Sequence, residues 1–130
     1  MIRIFDIPIH SGAPSEIVEE IARGCSDTGT ETCRCISASG AHGLVEARRE
    51  PSFSHVLQSF FVNLPDGVPV VWLGRLKGAR EMKRCYGPDL FRDVLIKTAA
   101  MPIKHFFCGG KEGRAAELRH VAEERFGNTN

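Results

Sequence analysis

The chain has 130 residues, 42% of them apolar and 25% charged, with a formal net charge of +1. That is enough chain for one hydrophobic core, and the composition excludes a disordered or low-complexity protein. The near-zero charge excludes a global field for nucleic acid, and no apolar run approaches the ~20 residues needed to cross a bilayer.

From the N-terminus, "IRIFDIPI" alternates enough to be an opening strand or part of a hairpin. "SGAPSEIVEEIARG" predicts a helix with Ser15 as N-cap, Ile17, Val18 and Ile21 on one face, and Gly24 as its stop. "TCRCISAS" reads as a buried strand ending near Ser39, "AHGLVEARRE" as a helix that Pro51 either ends or follows by beginning the next turn, and "SFSHVLQSF" as a second helix. "FVNL" is a short strand running into the turn at Asp66. In "GVPVVWLGRLKG" periodicity does not separate a buried helix from a strand, but Pro69 suits a first helical turn and not a central strand. A helix is expected there, with Trp72 in its core face. "GPDLFRDVLIKTAAM" predicts a helix with Asp89 near its start, "IKHFFC" a strand, and "RAAELRHVAEERFG" an amphipathic helix after "GGKEG". Short strands alternating with helices predict one α/β domain over residues 1–130, with a Rossmann-like, largely parallel sheet flanked by helices.

The five cysteines are Cys25, Cys33, Cys35, Cys85 and Cys108. The count is odd, no secretion signal precedes them, and Cys33-Arg34-Cys35 is too close for zinc-finger spacing, so reduced, partly buried thiols are expected and no metal. The chain is expected to be soluble and intracellular.

Ligands of such folds bind beyond the carboxyl ends of the strands, where loops lead into helices. Four glycine-containing segments are placed on that rim: "SASGAHG", "LPDG", "YGPD" and "CGGKEG". The last has the order strand, glycine loop, helix, which suits a phosphate, with Lys111 adding a charge; a plain tight turn is the alternative. Ser37, Ser39 and His42 are read as turn or surface residues. Asp66 either caps backbone N–H groups of its turn or serves chemistry. Arg75, Lys77, Arg80, Lys83 and Arg84, opposed by Glu81, are either a solvated face or a contact for substrate phosphates or lipid headgroups.

The stretches "SGAHGLVEARREPSF", "LPDGVPVVWLGRLKG", "KRCYGPDLF" and "HFFCGGKEGRAAEL" together resemble the WecG/TagA/CpsF family of glycosyltransferases, in family order and over roughly residues 30 to 126. Members move a sugar, often N-acetylmannosamine, from a UDP-sugar to a polyprenyl-pyrophosphate-linked acceptor in the synthesis of cell-surface polymers such as teichoic acid. The resemblance puts Asp66 on the family's Pro-Asp-Gly acid, there taken as the catalytic base. Ser39 stands where the family usually has Thr, and Gly40 and His42 match common variants of that loop. Gly67 completes the Pro-Asp-Gly turn. Tyr86, Gly87 and Asp89 match the "YGPDL" segment, with Asp89 alternatively a helix cap. Gly109, Gly110, Lys111 and Gly113 match a glycine loop expected to line the nucleotide-sugar site.

The resemblance further implies no metal cofactor, a UDP-sugar donor as substrate, a lipid-linked sugar acceptor, peripheral contact with the inner face of the cytoplasmic membrane, and no nucleic acid. Family members usually run well past this length and carry further strands and site residues. The chain is therefore expected to lack the second half of the family domain. The competing expectation is a catalytically incomplete nucleotide-sugar-binding module, or a truncated remnant that forms a homo-oligomer.

Overall fold

The computed structural model describes residues 1–26 and 33–129. The first nine residues take the hairpin alternative: β1 (Ile2–Ile4) pairs antiparallel with β2 (Ile7–Ile9). Phe5 and Asp6 hold φ of 50° and 65°, the left-handed pair that a type I′ connection requires. Asp visits this region readily and Phe does not. The turn is held by Arg3 Nη1, which donates to the Asp6 carbonyl at 2.7 Å, and by the Arg48 guanidinium 4.8 Å over the Phe5 ring.

Helix α1 (Pro14–Ser26) begins one residue before the expected cap, so Ser15 lies inside it, and it continues through Gly24 instead of stopping there. A glycine inside a helix costs about 1 kcal/mol against alanine. Packing overrides that here: Ile17, Val18 and Ala22 are buried, and Ser26 Oγ donates back to the Ala22 carbonyl at 2.9 Å. Next come β3 (Ile36–Ser39), α2 (Ala41–Arg49), α3 (Pro51–Ser59) and β4 (Val62–Pro65). Strands β3 and β4 pair in parallel, from Ile36 opposite Val62 to Ser39 opposite Pro65. Helices α4 (Val68–Leu76), α5 (Gly87–Thr98) and α6 (Arg114–Phe126) complete the order. Proline at the first or second position of α3, α4 and α5 marks each start, where its missing N–H has no helical partner anyway.

The class is α/β, as expected, but the sheet is smaller than expected. The described strands form one antiparallel pair and one parallel pair. "IKHFFC" is not a strand. Its backbone joins no ladder among the described residues, and its side chains anchor it instead: Ile103 is buried, His105 Nε2 lies 2.7 Å from Thr98 Oγ1, and Phe107 packs edge-on to Phe91 with centroids 5.7 Å apart. Cys33, Arg34 and Cys35 precede β3 and are exposed, so the buried strand expected over "TCRCISAS" shrinks to its last four residues; Thr32 lies outside the described residues. Of the five thiols, all unpaired, Cys85 is buried and the other four are exposed.

The β3–β4 pair separates two apolar clusters. On one side Ile4, Ile7 and Ile9 of the hairpin meet Leu44, Ala47, Leu57, Val70, Val71 and Met82. On the other, Val62 and Leu64 meet Ile17 of α1 and Cys85. Strand alternation sends Asn63 away from Val62 and Leu64. Asn63 is fully buried, and its Nδ2 donates to the carbonyls of Leu57 at 2.8 Å and Pro8 at 3.2 Å, tying hairpin and α3 to β4. Trp72 is not in the core: α4 buries Val70, Val71 and Gly74, and a residue 200° of helix rotation from Val70 and from Gly74 faces outward. Its relative exposure is 63%.

Candidate active site

Three helices begin at the carboxyl end of the parallel pair. Helix α2 follows Ser39–Gly40, α4 follows Asp66–Gly67, and α5 begins at Gly87. Their starts lie close together: a Cβ placed on Gly67 would stand 3.7 Å from the Ala41 nitrogen, and one on Gly87 would stand 3.5 Å from the Ala38 Cβ. None of the three N-cap residues, Gly40, Gly67 and Tyr86, gives a side-chain cap. Apart from Val70, whose N–H donates to the Gly67 carbonyl at 3.0 Å, and the prolines Pro69 and Pro88, first-turn N–H groups have no intrahelical acceptor, so they and the positive ends of the helix dipoles lie in one region. Such a spot suits an anion, and above all a diphosphate.

Asp66 is the carboxylate at that spot. The strand brings it there: β4 ends at Pro65, and the Asp66 N–H donates to the Ser39 carbonyl at 3.2 Å, closing the lip between the two strand ends. Among the described residues no backbone N–H donates to its carboxylate, so the turn-capping alternative is not realised. Its side-chain partner is Arg84, whose Nη2 lies 3.4 Å from Oδ1 while Nε donates to the Asp66 carbonyl at 2.6 Å. The Arg84 guanidinium also covers the Tyr86 ring at 4.5 Å. The following N–H, that of Cys85, donates to the Pro65 carbonyl at 2.9 Å. Residues 84–86 are thus fastened along the end of β4, with the Asp66 side chain left one-quarter exposed.

Behind the lip runs a polar chain whose polarity can be assigned. Asn63 Nδ2 is committed to two carbonyls, so its Oδ1 accepts from Ser37 Oγ at 2.7 Å. Ser37 has then spent its proton, and the 2.6 Å contact between Ser37 and Ser39 requires the Ser39 hydroxyl to donate. Ser39 is buried and offers only lone pairs to anything at the lip.

Of the other predicted residues, Gly40, His42, Gly67, Tyr86 and Gly87 all stand at the three helix starts beside Asp66. Asp89 lies in the first turn of α5, exposed, and pairs with Arg92 at 3.0 Å, as Asp93 does at 2.8 Å. Asp66, Asp93 and Asp89 all act on the buried Cys85: burial chiefly, and then these carboxylates in that order, push its thiol above the ordinary value. The loop of Gly109, Gly110, Lys111 and Gly113 follows no strand, and no hydrogen bond or ion pair joins it to the lip among the described residues. It leaves from the Phe107–Phe91 contact on α5, with Gly109, Gly110 and Gly113 at φ of 105°, 81° and 84°, where other residues are strained. Lys111 is exposed.

Sequence reasoning placed Arg84 in a general basic stretch and missed its bond to Asp66, and it missed Asn63 altogether. Arg84 lies 18 positions along the chain from Asp66, and no local periodicity links the two. Asn63 had one usable signal, a polar residue inside the apolar run "FVNLP". Among the described residues, no cluster of three or more His, Cys, Asp or Glu is placed to hold a metal ion, and no helix is long and apolar enough to cross a membrane.

The model of the glycosyl transferase WecG/TagA/CpsF family matches residues 2–130. The chain is also similar to a Bacillus spizizenii protein named N-acetylglucosaminyldiphosphoundecaprenol N-acetyl-beta-D-mannosaminyltransferase, with 36% identity over 72 residues. That stretch covers 55% of this chain and 28% of the relative, so the match spans less than a third of the relative's length.

Proposed function

Since this chain belongs to the WecG/TagA/CpsF family of glycosyl transferases, we propose that it carries the acid and the diphosphate cradle of a hexosyl transfer. The donor is a UDP-sugar of the N-acetylmannosamine type, and the acceptor a sugar hydroxyl on a polyprenyl pyrophosphate. The relative's name, which joins a mannosaminyl donor to a diphosphoundecaprenol-linked acceptor, supports that pairing. The observation that carries the reading is the position of Asp66, a carboxylate without a capping role among three helix starts that lack side-chain caps.

In this reading the Asp66 carboxylate takes the proton of the acceptor hydroxyl. The acceptor oxygen forms the new bond to the anomeric carbon as the bond from that carbon to the diphosphate oxygen breaks. The electron pair leaves with UDP, and the added negative charge is met by the free first-turn N–H groups of α2, α4 and α5, while Arg84 holds Asp66 in place. Preorganised donors aimed at developing charge are the largest single help in such a step. Lys111 and its glycine loop join the donor site on this reading by resemblance alone.

The test is transfer of radiolabelled UDP-N-acetylmannosamine to a short-chain lipid-pyrophosphate-linked N-acetylglucosamine, with UDP affinity measured alongside. Turnover that disappears in Asp66→Asn, with UDP affinity kept, supports the reading. UDP binding without turnover by the unaltered chain shifts the weight to a nucleotide-sugar-binding module.

A further inference from the structure

The polar chain behind the lip ends in a group that the transfer step leaves unused. Asn63 is fully buried, and its Nδ2 donates to the Leu57 and Pro8 carbonyls at 2.8 Å and 3.2 Å. Turning the amide over would set its oxygen against both carbonyls, so these bonds fix which end is which. Ser37 stands opposite Asn63 in the parallel register and gives its proton to Oδ1 at 2.7 Å. Ser39, two residues on and on the same face of β3, then gives its own proton to Ser37 at 2.6 Å. The residue opposite Ser39 is Pro65, which has no N–H to give. Ser39 Oγ therefore keeps lone pairs that no donor reaches among the described residues.

An acceptor of this kind contrasts with its surroundings. The nearby helix starts present free N–H groups and positive dipole ends, which suit a diphosphate. A phosphate oxygen brings only lone pairs and is repelled by a hydroxyl whose single proton is spent inward. Whatever rests on Ser39 has to bring its own N–H or O–H. Resting on the reading of a UDP-sugar donor, we propose that Ser37, anchored by Asn63, is a positioning residue for the donor sugar. It holds Ser39 Oγ as a pure acceptor, which takes a hydrogen bond from a hydroxyl or acetamido N–H of that sugar and leaves the diphosphate to the helix starts. The ribose hydroxyls are the competing donors, and Asp66 decides against them. Its N–H donates to the Ser39 carbonyl at 3.2 Å, so the group beside Ser39 is the one whose carbon is attacked near Asp66. Opposite demands at the two ends of the lip then fix which way round the donor lies.

The experiment is calorimetric titration of the full chain with UDP-N-acetylmannosamine and, separately, with UDP, which carries the ribose and the diphosphate but no sugar. Ser39→Ala removes the acceptor and is expected to weaken UDP-N-acetylmannosamine about threefold to tenfold while UDP keeps its affinity. Ser37→Ala leaves the two Asn63 carbonyl bonds in place and frees the Ser39 proton to turn outward. It is expected to weaken the sugar nucleotide about threefold and to hold UDP as well as before or better. Ser37→Thr keeps a hydroxyl for Asn63 and should restore both affinities. The split between the two ligands is the decisive readout, because a merely structural role lowers both together. Parallel losses overturn the proposal, as does an unchanged affinity for UDP-N-acetylmannosamine in Ser39→Ala. A loss of UDP affinity in Ser39→Ala also overturns it, by giving Ser39 to the nucleotide. A chain that binds UDP and shows no split has lost this inference and kept its proposed function; an unaltered chain that binds neither ligand has lost both.

Discussion

Arg84 reaches back 18 residues to grip the turn that carries Asp66, with its shorter bond, 2.6 Å, to the backbone carbonyl and its longer one, 3.4 Å, to the carboxylate. It holds the position of the acid more than it neutralises the acid. The second carboxylate oxygen accepts no hydrogen bond among the described residues.

If Arg84 acts by positioning, its loss should mimic a misplaced base. Arg84→Ala is expected to lower transfer about tenfold to a hundredfold, and Asp66→Asn by at least about a hundredfold. The double variant should be no worse than Asp66→Asn alone, since the arginine has nothing left to position. Additive losses in a double-mutant cycle would instead give Arg84 a contact of its own with the diphosphate. Arg84→Lys should rescue only part of the loss, because an ammonium cannot span both Asp66 oxygens while lying flat on Tyr86.

Asn63 should matter to stability more than its size suggests. Asn63→Leu removes the donor to the Pro8 carbonyl, leaves the Leu57 carbonyl with only the 3.4 Å bond from the Phe60 N–H, and takes away the acceptor of the Ser37 hydroxyl. An unsatisfied buried polar group costs about 1–3 kcal/mol, so a loss of about 3 kcal/mol is expected in urea unfolding. Ser37→Ala, which leaves both carbonyls satisfied, should cost about 1 kcal/mol. Equal losses for the two variants would mean the amide is not the anchor.

His105 predicts a pH dependence. Thr98 Oγ1 donates to the Val94 carbonyl at 2.8 Å, so it accepts from His105 Nε2, and burial holds the imidazole below its ordinary value. A histidine whose folded pKa is depressed binds its proton more weakly folded than unfolded. Its contribution is full above the unfolded value near 6.5 and falls as pH drops from there to the folded pKa. Below that point both states are protonated and the loss stops growing. His105→Gln, which keeps an N–H for Thr98, should flatten this slope in denaturation measured from pH 8 to pH 5; an unchanged slope would assign it to other groups.

The thiols should separate into two kinetic classes. Cys25, Cys33, Cys35 and Cys108 are exposed, whereas Cys85 is buried, with its pKa raised by burial and then by Asp66, Asp93 and Asp89. Thiolate is the reactive form. Titration of the native chain with a chromogenic disulfide should show four fast thiols and one slow, with Asp66→Asn speeding the slow one by removing one of the charges that raise it. Five equally fast thiols would contradict the closed packing of residues 84–86 on β4.

Local patterning carried much of the fold. Helices α2 through α6 were legible because apolar spacing and the prolines at Pro51, Pro69 and Pro88 act within a few residues of chain, and Asp66 was picked out by its turn and its family motif. Where the reading failed, the cause was a partner the chain cannot reveal locally. "IKHFFC" has strand composition, yet a strand exists only if a neighbouring edge accepts its hydrogen bonds, and here Thr98 and Phe91 take its side chains instead. Trp72 is apolar, yet which face of α4 is buried depends on where Met82 and the hairpin sit.

The site divides in the same way. Sequence alone determined that an acid, several glycines and a run of cations lie near strand ends and helix starts. Only the tertiary structure decided that the starts of α2, α4 and α5 meet beside Asp66, that Arg84 holds that acid, and that the 109–113 loop follows no strand. Helix dipoles, salt links and hydrogen-bond polarity act through space over a few ångströms, and the positions that bring those groups so close are set by how the two clusters pack on β3 and β4, not by their order along the chain.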